Sequence, residues 1–167
     1  IIKDKKFTVY KRLENPLINV LIEMEDKGVA INPQKLREIS SNLSTEINKL
    51  EEQIFKLANI TFNVGSPKQL GEVLFDKMKI FGGKRSKNGS WQTSVDVLEN
   101  ISNEGYEIAD LILGWRHFSK LKSTYSDALV DQINPKTNRV HTSYSLVGAS
   151  TGRLSSSNPN LQNIPIR

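Results

Sequence analysis

The chain has 167 residues, 37% of them hydrophobic and 25% charged, which suits a folded domain with a core and excludes wholesale disorder. It has no cysteine and two histidines, which excludes disulfides, thiolate metal sites and a metal site built from histidines alone. Its 23 Lys and Arg exceed its 18 Asp and Glu, and the net charge of +5 favours a polyanionic partner.

Neither end of the chain has the features of a natural terminus. Ile1-Ile2-Lys3 resembles neither a signal peptide nor an initiator methionine, and Arg167 directly follows a patterned segment. We therefore expect a piece of a longer protein. A membrane partner is not expected, since no apolar run approaches the roughly 20 residues that cross a bilayer.

Two helices are predicted in the first third of the chain. Apolar residues recur at intervals of three and four from residue 13 until Lys27-Gly28, a glycine C-cap, ends the pattern, and a short extended link, 29–31, follows. Asn32 and Pro33 then provide an N-cap and a first helical position. The second helix has a narrow apolar seam typical of pairing with another long helix: Leu36, Ile39, Leu43, Ile47, Leu50, Ile54 and Leu57.

Two short helices flank a glycine-rich loop between residues 62 and 105. Ser66 is the expected N-cap of the first, and Thr93 or Ser94 opens the second. The loop at 82–89 lacks the GxxxxGK[ST] spacing of a P-loop, and no strand precedes it, so a nucleotide cradle is excluded. Two interpretations stay open: a disordered surface loop, or a basic arm that contacts backbone phosphates through Lys84, Arg85 and Lys87.

A second long helix is predicted from Glu107 to about Ile133, with an apolar side at about 100° per residue. Lys122 falls inside that side, so either its stem snorkels or the helix is distorted there. Residues 134–138 have turn chemistry, 139–146 are β-prone, and 153–156 can pair back. The expected fold is mainly α: two long antiparallel helices with short tip helices, followed by a small antiparallel β segment.

Three groups of polar residues are candidates for chemistry. The segment 151–167 offers arginine, asparagine and glutamine, which can donate to the minor-groove acceptors that every base pair presents; the alternative is a polar loop that solvates a β edge. Arg116 and Lys120 are four residues apart beside the apolar side of their helix, so both can point the same way; the alternative is a solvated face. The acidic cluster Glu23, Glu25 and Asp26 is interpreted as a solvated helix face.

The C-terminal segment also carries a family resemblance. Residues 151–156 (TGRLSS) and 158–165 (NPNLQNIP) resemble, almost residue for residue, the motif at the start of the palm in family A DNA polymerases of the bacterial type. Segments 120–125, 133–137 and 139–144 follow the family in the same order. The resemblance also covers 62–63 with 68–70 and, more loosely, 28–29 with 31, so that nearly the whole chain is accounted for.

The resemblance implies a role for each candidate residue. The arginine matching Arg153 bonds the minor-groove face at the primer terminus, and the positions matching Asn160, Gln162 and Asn163 contact the primer and template strands. Arg116 and Lys120 would lie on a thumb helix that approaches DNA. Residues 82–89 would be a thumb tip, and the backbone N–H groups of the helix that Ser66 caps could meet a phosphate.

The resemblance also divides the chain and assigns it an activity. Residues 1–31 would lead into the thumb, 32–133 would form the thumb with its tip at 62–105, and 134–167 would begin the palm. The parent would be a DNA-directed DNA polymerase, a nucleotidyltransferase of DNA replication and repair that uses Mg²⁺ held by carboxylates. In the family, the first of those carboxylates follows the segment matching 164–167. We therefore expect no catalytic residue, cofactor or metal in this fragment, and no activity from it alone.

The expected partners are primer–template duplex and the remaining palm, fingers and exonuclease domains, with the fragment itself a monomer. A cytoplasmic, nucleoid-associated setting is expected, and an organellar one is possible. Two alternatives stay open: a pure duplex-binding module, and a coiled-coil-like scaffold without DNA binding, in which the seam from Leu36 to Leu57 pairs between chains.

Overall fold

The computed structural model describes residues 6–164 of the chain, which divide into two compact units. Glu38–Ser126 form what we call the helical unit. The described residues up to Arg37 and from Asp127 onward form what we call the β-containing unit. The expected fold class, mainly α with a small antiparallel β segment, is confirmed.

The first helix of the β-containing unit consists of Phe7–Val9, a π-helical turn at Tyr10–Glu14, and Asn15–Lys27. Pro16 lies two residues after the π turn; because proline has no N–H and its ring clashes with the preceding turn, the helix is not regular α in the turn before it. Gly28 ends the helix with φ 63°, and its N–H donates to the carbonyl of Met24 at 2.9 Å. The predicted glycine C-cap is confirmed, and the helix begins earlier than the pattern indicated.

Three short segments, which the sequence analysis predicted as an extended link, the end of a helix and part of a strand, form a small antiparallel sheet. Its strands are β1 (Val29–Ala30), β2 (Ile133–Asn134) and β3 (Arg139–Val140), in the order β1-β3-β2. Val140 pairs with both neighbours and is fully buried. The predicted strand at 139–146 is therefore split, because its second half pairs elsewhere.

The helices between residues 33 and 131 are those that the sequence predicted, with distortions that it did not predict. Their bounds are Pro33–Ala58, Pro67–Gly71 with a π turn at Glu72–Lys77, Val95–Asn103, and Glu107–Leu121 with a π turn at Lys122–Asp127 before Ala128–Asp131. The first of them begins, and the last ends, in residues of the β-containing unit. Asn32 accepts from the N–H of Lys35 at 3.1 Å, as an N-cap should. The π turn that begins at Lys122 confirms a distorted helix there. A spacing of 100° per residue therefore does not describe this segment, which explains why it placed Lys122 on the apolar side.

The core of the helical unit is contributed by all of its helices. Its fully buried members include Ile54, Leu70, Leu74, Leu98 and Ile112. Polar contacts surround it: the indole N–H of Trp115 donates to Glu51 at 2.9 Å. A Cβ at Gly114 would lie 3.6 Å from Leu50, so the seam of the helix Pro33–Ala58 is occupied here by the same chain. Along residues 6–164, no helix combines the length and apolar character of a membrane span.

Candidate nucleic-acid interface

A two-stranded hairpin carries the C-terminal candidates. Strand β4 (Ser143–Ser145) pairs antiparallel with β5 (Ser155–Ser157), so the predicted pairing-back of this segment is confirmed. The first helix anchors β4, since the backbone N–H of Tyr144 donates to the carboxylate of Glu25. Glu25 was interpreted as part of a solvated face, and that interpretation is wrong for this residue because its carboxylate has a backbone partner.

His141 is a second anchor of the same hairpin. Its Nδ1 lies 2.7 Å from the carbonyl oxygen of Glu25, and because a carbonyl only accepts, this nitrogen carries the hydrogen. Its Nε2 lies 2.7 Å from the hydroxyl of Thr137. Both ring nitrogens therefore have structural partners, and no periodic pattern in the sequence predicted either contact.

Arg153 lies near the end of the connection between the two strands, two residues before β5 begins at Ser155. Gly152, with φ 74°, turns the chain into it. The side chain of Arg153 is exposed, and among residues 6–164 it has no hydrogen bond or ion pair. Its guanidinium, with five N–H donors in a planar fork, is available to an external acceptor.

The loop after β5 folds back towards Arg153. Gln162 donates its side-chain amide to the carbonyl of Leu154, the residue after Arg153, at 2.7 Å. Its backbone N–H donates to Oδ1 of Asn160 at 3.0 Å. Each amide NH₂ has two hydrogens, so Gln162 keeps one donor and Asn160 keeps both. Asn160, Gln162 and the neighbouring Asn163 are all exposed, and the structure thus brings Gln162 next to the Arg153 segment.

Arg116, in the helical unit, is not a free donor. Its guanidinium is half-buried and donates to the carbonyl oxygen of Thr93 and, at 3.2 Å, to the Thr93 hydroxyl. Burial lowers the pKa of the Arg116 guanidinium, because desolvation disfavours the charged form. Lys120 is exposed. The two side chains therefore differ in environment, although their spacing of four residues predicted that both can point the same way.

The glycine-rich loop of the helical unit is an ordered hairpin. The N–H of Gln92 donates to the carbonyl of Lys84 at 2.8 Å, and that of Ser86 to Ser90 at 2.7 Å. Arg85 stacks over the ring of Trp91, with 4.1 Å between guanidinium carbon and ring centroid. This ordering is not what the disordered-loop interpretation expected.

Further contacts fasten the arginine and the indole of this hairpin. Arg85 donates to the carbonyl of Gly89 at 2.9 Å and lies 3.6 Å from the carboxylate of Asp76, which also accepts the Trp91 N–H at 2.8 Å. Lys84 and Lys87 are exposed, and in the described ranges neither has an ion-pair partner. Ser66, the predicted N-cap, accepts from the N–H of Gln69 at 3.5 Å.

Comparison with known proteins decides the family. Residues 33–167 match the family model described as DNA polymerase family A. This chain belongs to the family A DNA polymerases. It is 52% identical over 160 residues to a DNA polymerase I of Rhizobium leguminosarum, and 44% identical over 166 residues to the thermostable DNA polymerase I of Thermus aquaticus. The resemblance seen in the sequence is confirmed.

The matches cover almost all of this family A chain and a small part of each relative. They extend over 96% and 99% of the chain, but over 16% and 20% of the Rhizobium and Thermus proteins. Among solved structures, the chain is similar to the POL domain of Pol1 from M. smegmatis in complex with DNA primer-template and dNTP, with a TM-score of 0.85 and 34% identity. That match covers 99% of this chain and 29% of the other.

The Mg²⁺ of family A polymerases has no fitting site in residues 6–164, where no three His, Asp or Glu side chains are grouped as a metal site requires.

Sequence reasoning proposed the arginine and amide candidates but missed the two hydroxyls that hold the loop carrying the amides. Thr142 and Ser156 are both 4% exposed and bond to one another behind the loop. The sequence carried no signal for them, because Thr142 lies just before β4 and Ser156 stands within a run of three serines.

Proposed function

We propose that this chain is the part of a DNA-directed DNA polymerase that grips the primer–template duplex, as thumb and first palm strands. The Pol1 POL domain that it resembles is described in complex with DNA primer-template and dNTP. The observation that carries the proposal is the exposed guanidinium of Arg153, which has no partner among residues 6–164, while Gln162 donates to the backbone of the adjacent Leu154. A charged donor with no internal acceptor fits an external anion or base edge.

Minor-groove contact is the proposed task of four residues on this loop system. Purine N3 and pyrimidine O2 are acceptors at every base pair, so donors that reach them test duplex geometry and not sequence. Among the described residues, Arg153 and Asn160 retain all of their side-chain donors, and Gln162 retains one of its two. The set is Arg153, Asn160, Gln162 and Asn163.

Phosphate contact is the proposed task of the helical unit. Lys84, Lys87 and Lys120 are exposed and suit phosphate, which binds ammonium groups without a required geometry. Arg85 and Arg116 would contribute through the donors left after their internal bonds, and Ser66 through the backbone of the helix that it caps. We rank the lysines above the two arginines for this reason.

The domain assignment is part of the same proposal. Residues 1–31 lead into the thumb, 32–133 form it with a tip at 62–105, and 134–167 begin the palm. Its partners would be primer–template DNA and the remaining palm, fingers and exonuclease domains, in a cytoplasmic, nucleoid-associated or organellar setting. The parent would be a nucleotidyltransferase of replication and repair that uses Mg²⁺.

The chain alone would not incorporate nucleotides, because it matches 16% of the length of the Rhizobium polymerase and residues 6–164 group no carboxylates for a metal. Purified chain, magnesium, primed template and a labelled nucleotide test this directly. Extension of the primer would contradict it.

DNA grip is tested by fluorescence anisotropy with a labelled primed duplex. If four phosphates are contacted, affinity should fall about a hundredfold between about 50 and 200 mM salt. Arg153→Ala should weaken binding about tenfold. Arg37→Ala, which removes another exposed arginine from the β-containing unit, should weaken it less than about threefold. A flat salt response, or equal losses from both variants, would contradict the proposal.

The scaffold alternative requires the apolar seam to pair between chains. Ile54 is instead fully buried in the core of its own helical unit, and Leu50 lies against Gly114. We therefore propose a monomer. Sedimentation at several concentrations checks this, and a concentration-dependent dimer would favour the scaffold.

A further inference from the structure

Two buried hydroxyls lie behind the proposed minor-groove loop and take no part in the function described so far. Thr142 precedes β4 and Ser156 is the central residue of β5; each is 4% exposed. A buried hydroxyl lowers stability unless it is hydrogen-bonded, so the groups that these two hydroxyls bind are held in place by them. What they fix can be read from their partners.

Their partners are backbone groups of the loop that follows β5. The hydroxyl of Thr142 lies 2.7 Å from that of Ser156, 2.7 Å from the carbonyl oxygen of Pro159 and 2.9 Å from that of Ser157. The hydroxyl of Ser156 accepts from the N–H of Leu161 at 3.1 Å and lies 3.2 Å from the Pro159 carbonyl.

Counting hydrogens shows how the pair divides its bonds. Each hydroxyl has one hydrogen and two lone pairs. The shortest consistent chain runs from the N–H of Leu161 to Ser156, from the Ser156 hydroxyl to Thr142, and from the Thr142 hydroxyl to the carbonyl of Pro159. The two backbone groups that are tied down therefore flank one residue, Asn160.

The chain of bonds continues to the proposed minor-groove donors. Oδ1 of Asn160 accepts from the N–H of Gln162, whose side chain donates to the carbonyl of Leu154 beside Arg153. A loop held at both sides of Asn160 presents its amides in one geometry. Without the hydroxyls, the same exposed amides would sample many positions. Hydrogen bonds to base edges need a defined geometry and would be weakened, whereas the electrostatic attraction to the DNA backbone would stay.

We propose that Thr142 and Ser156 are positioning residues, which hold Asn160 and Gln162 so that these amides, together with Arg153, detect the minor-groove acceptors of primed DNA. The proposal rests on the function proposed above. It adds that shape detection depends on two hydroxyls that never touch DNA.

The test uses a probe that alters one acceptor and leaves the duplex charge unchanged. A primed duplex with guanine at the primer end is compared with one carrying 3-deazaguanine, which lacks the N3 acceptor. The affinity ratio of the two is expected to be about tenfold for the unchanged chain. Thr142→Val, which keeps the shape and removes the hydroxyl, should bring the ratio close to one without changing the salt slope. Thr142→Ser should retain the ratio.

Thr137→Val is the matched control, because its hydroxyl lies in the same unit, is exposed and bonds only to His141 among the described residues. It should retain the ratio. Circular dichroism and urea unfolding establish that each variant is folded. If Thr142→Val does not fold, Ser156→Ala decides on the same readout.

A folded Thr142→Val with the unchanged ratio would overturn the inference, and so would failure of both variants to fold, since the pair would then serve stability alone. Failure of the proposed function gives a different result. In that case the unchanged chain itself would show a ratio of one.

Discussion

The hairpin at 84–92 and the loop at 158–163 both order a polar segment, and they do so in opposite ways. In the hairpin, the basic side chain makes the ties: Arg85 stacks on Trp91 and donates to Gly89. In the loop, buried hydroxyls behind the backbone make them, and Arg153 stays without an internal partner in the part of the chain described here. A basic residue that orders its own segment has fewer donors left for a ligand.

The distribution of charge gives the same contrast at a larger scale. Between residues 38 and 126, eleven Lys and Arg balance eleven Asp and Glu. The rest of the sequence has twelve basic and seven acidic residues, and the difference of five is the whole net charge. The positive excess of the sequence therefore lies outside residues 38–126, in the part of the chain that also carries Arg153.

The largest effect on stability should come from a steric clash with the indole of Trp91, which packs in the hairpin at 84–92. A Cβ at Gly71 would lie 2.4 Å from the Cβ of Trp91, so Gly71→Ala should lower the free energy of unfolding by about 1–3 kcal/mol. Gly114→Ala is the control, since its Cβ would meet Leu50 at an ordinary 3.6 Å; it should be neutral or stabilise by up to about 1 kcal/mol. Urea unfolding measures both, and equal effects would contradict the described packing.

Arg116 sharpens the distinction between a structural and a binding arginine. Arg116→Met removes both bonds to Thr93 and should lower the free energy of unfolding by about 1–2 kcal/mol. Lys120→Met, on the same helix and exposed, should change it by less than about 0.5 kcal/mol. The comparison fails if the lysine variant is the less stable of the two.

Much of the fold followed from local sequence signals, and the rest depended on distant partners. The caps at Asn32 and Ser66 and the glycine stop at Gly28 were predicted because each acts within one turn. The pairing of β1 with β3 joins residues more than a hundred positions apart, which periodicity cannot detect. In the candidate site, Arg153 was proposed from a motif, whereas Thr142 and Ser156 were not singled out because serine and threonine are common on exposed strands.

A smaller effect on stability is expected from a change at Arg85 in the hairpin at 84–92. Arg85→Lys keeps the charge but loses the planar stacking and the bond to Gly89, so we expect a loss of about 0.5–1 kcal/mol in stability. DNA affinity should change less than about twofold, because phosphate accepts either charge. A large loss of affinity with unchanged stability would show that Arg85 is a binding residue first.

Lys87 should give the smallest energetic effect and a distinct signature. Lys87→Ala removes one exposed charge, so stability should stay within about 0.5 kcal/mol. If this lysine contacts a phosphate, the slope of log affinity against log salt becomes shallower by about 0.9. An unchanged slope would remove Lys87 from the interface.

The central claim, that the exposed guanidinium of Arg153 detects the minor groove, is tested most directly by one affinity ratio. Primed duplexes with guanine or 3-deazaguanine at the primer end are titrated with the unchanged chain and with Arg153→Ala at one salt concentration. The account predicts a ratio of about ten that falls close to one in the variant. A ratio of one in the unchanged chain, or the same ratio in both proteins, would contradict it.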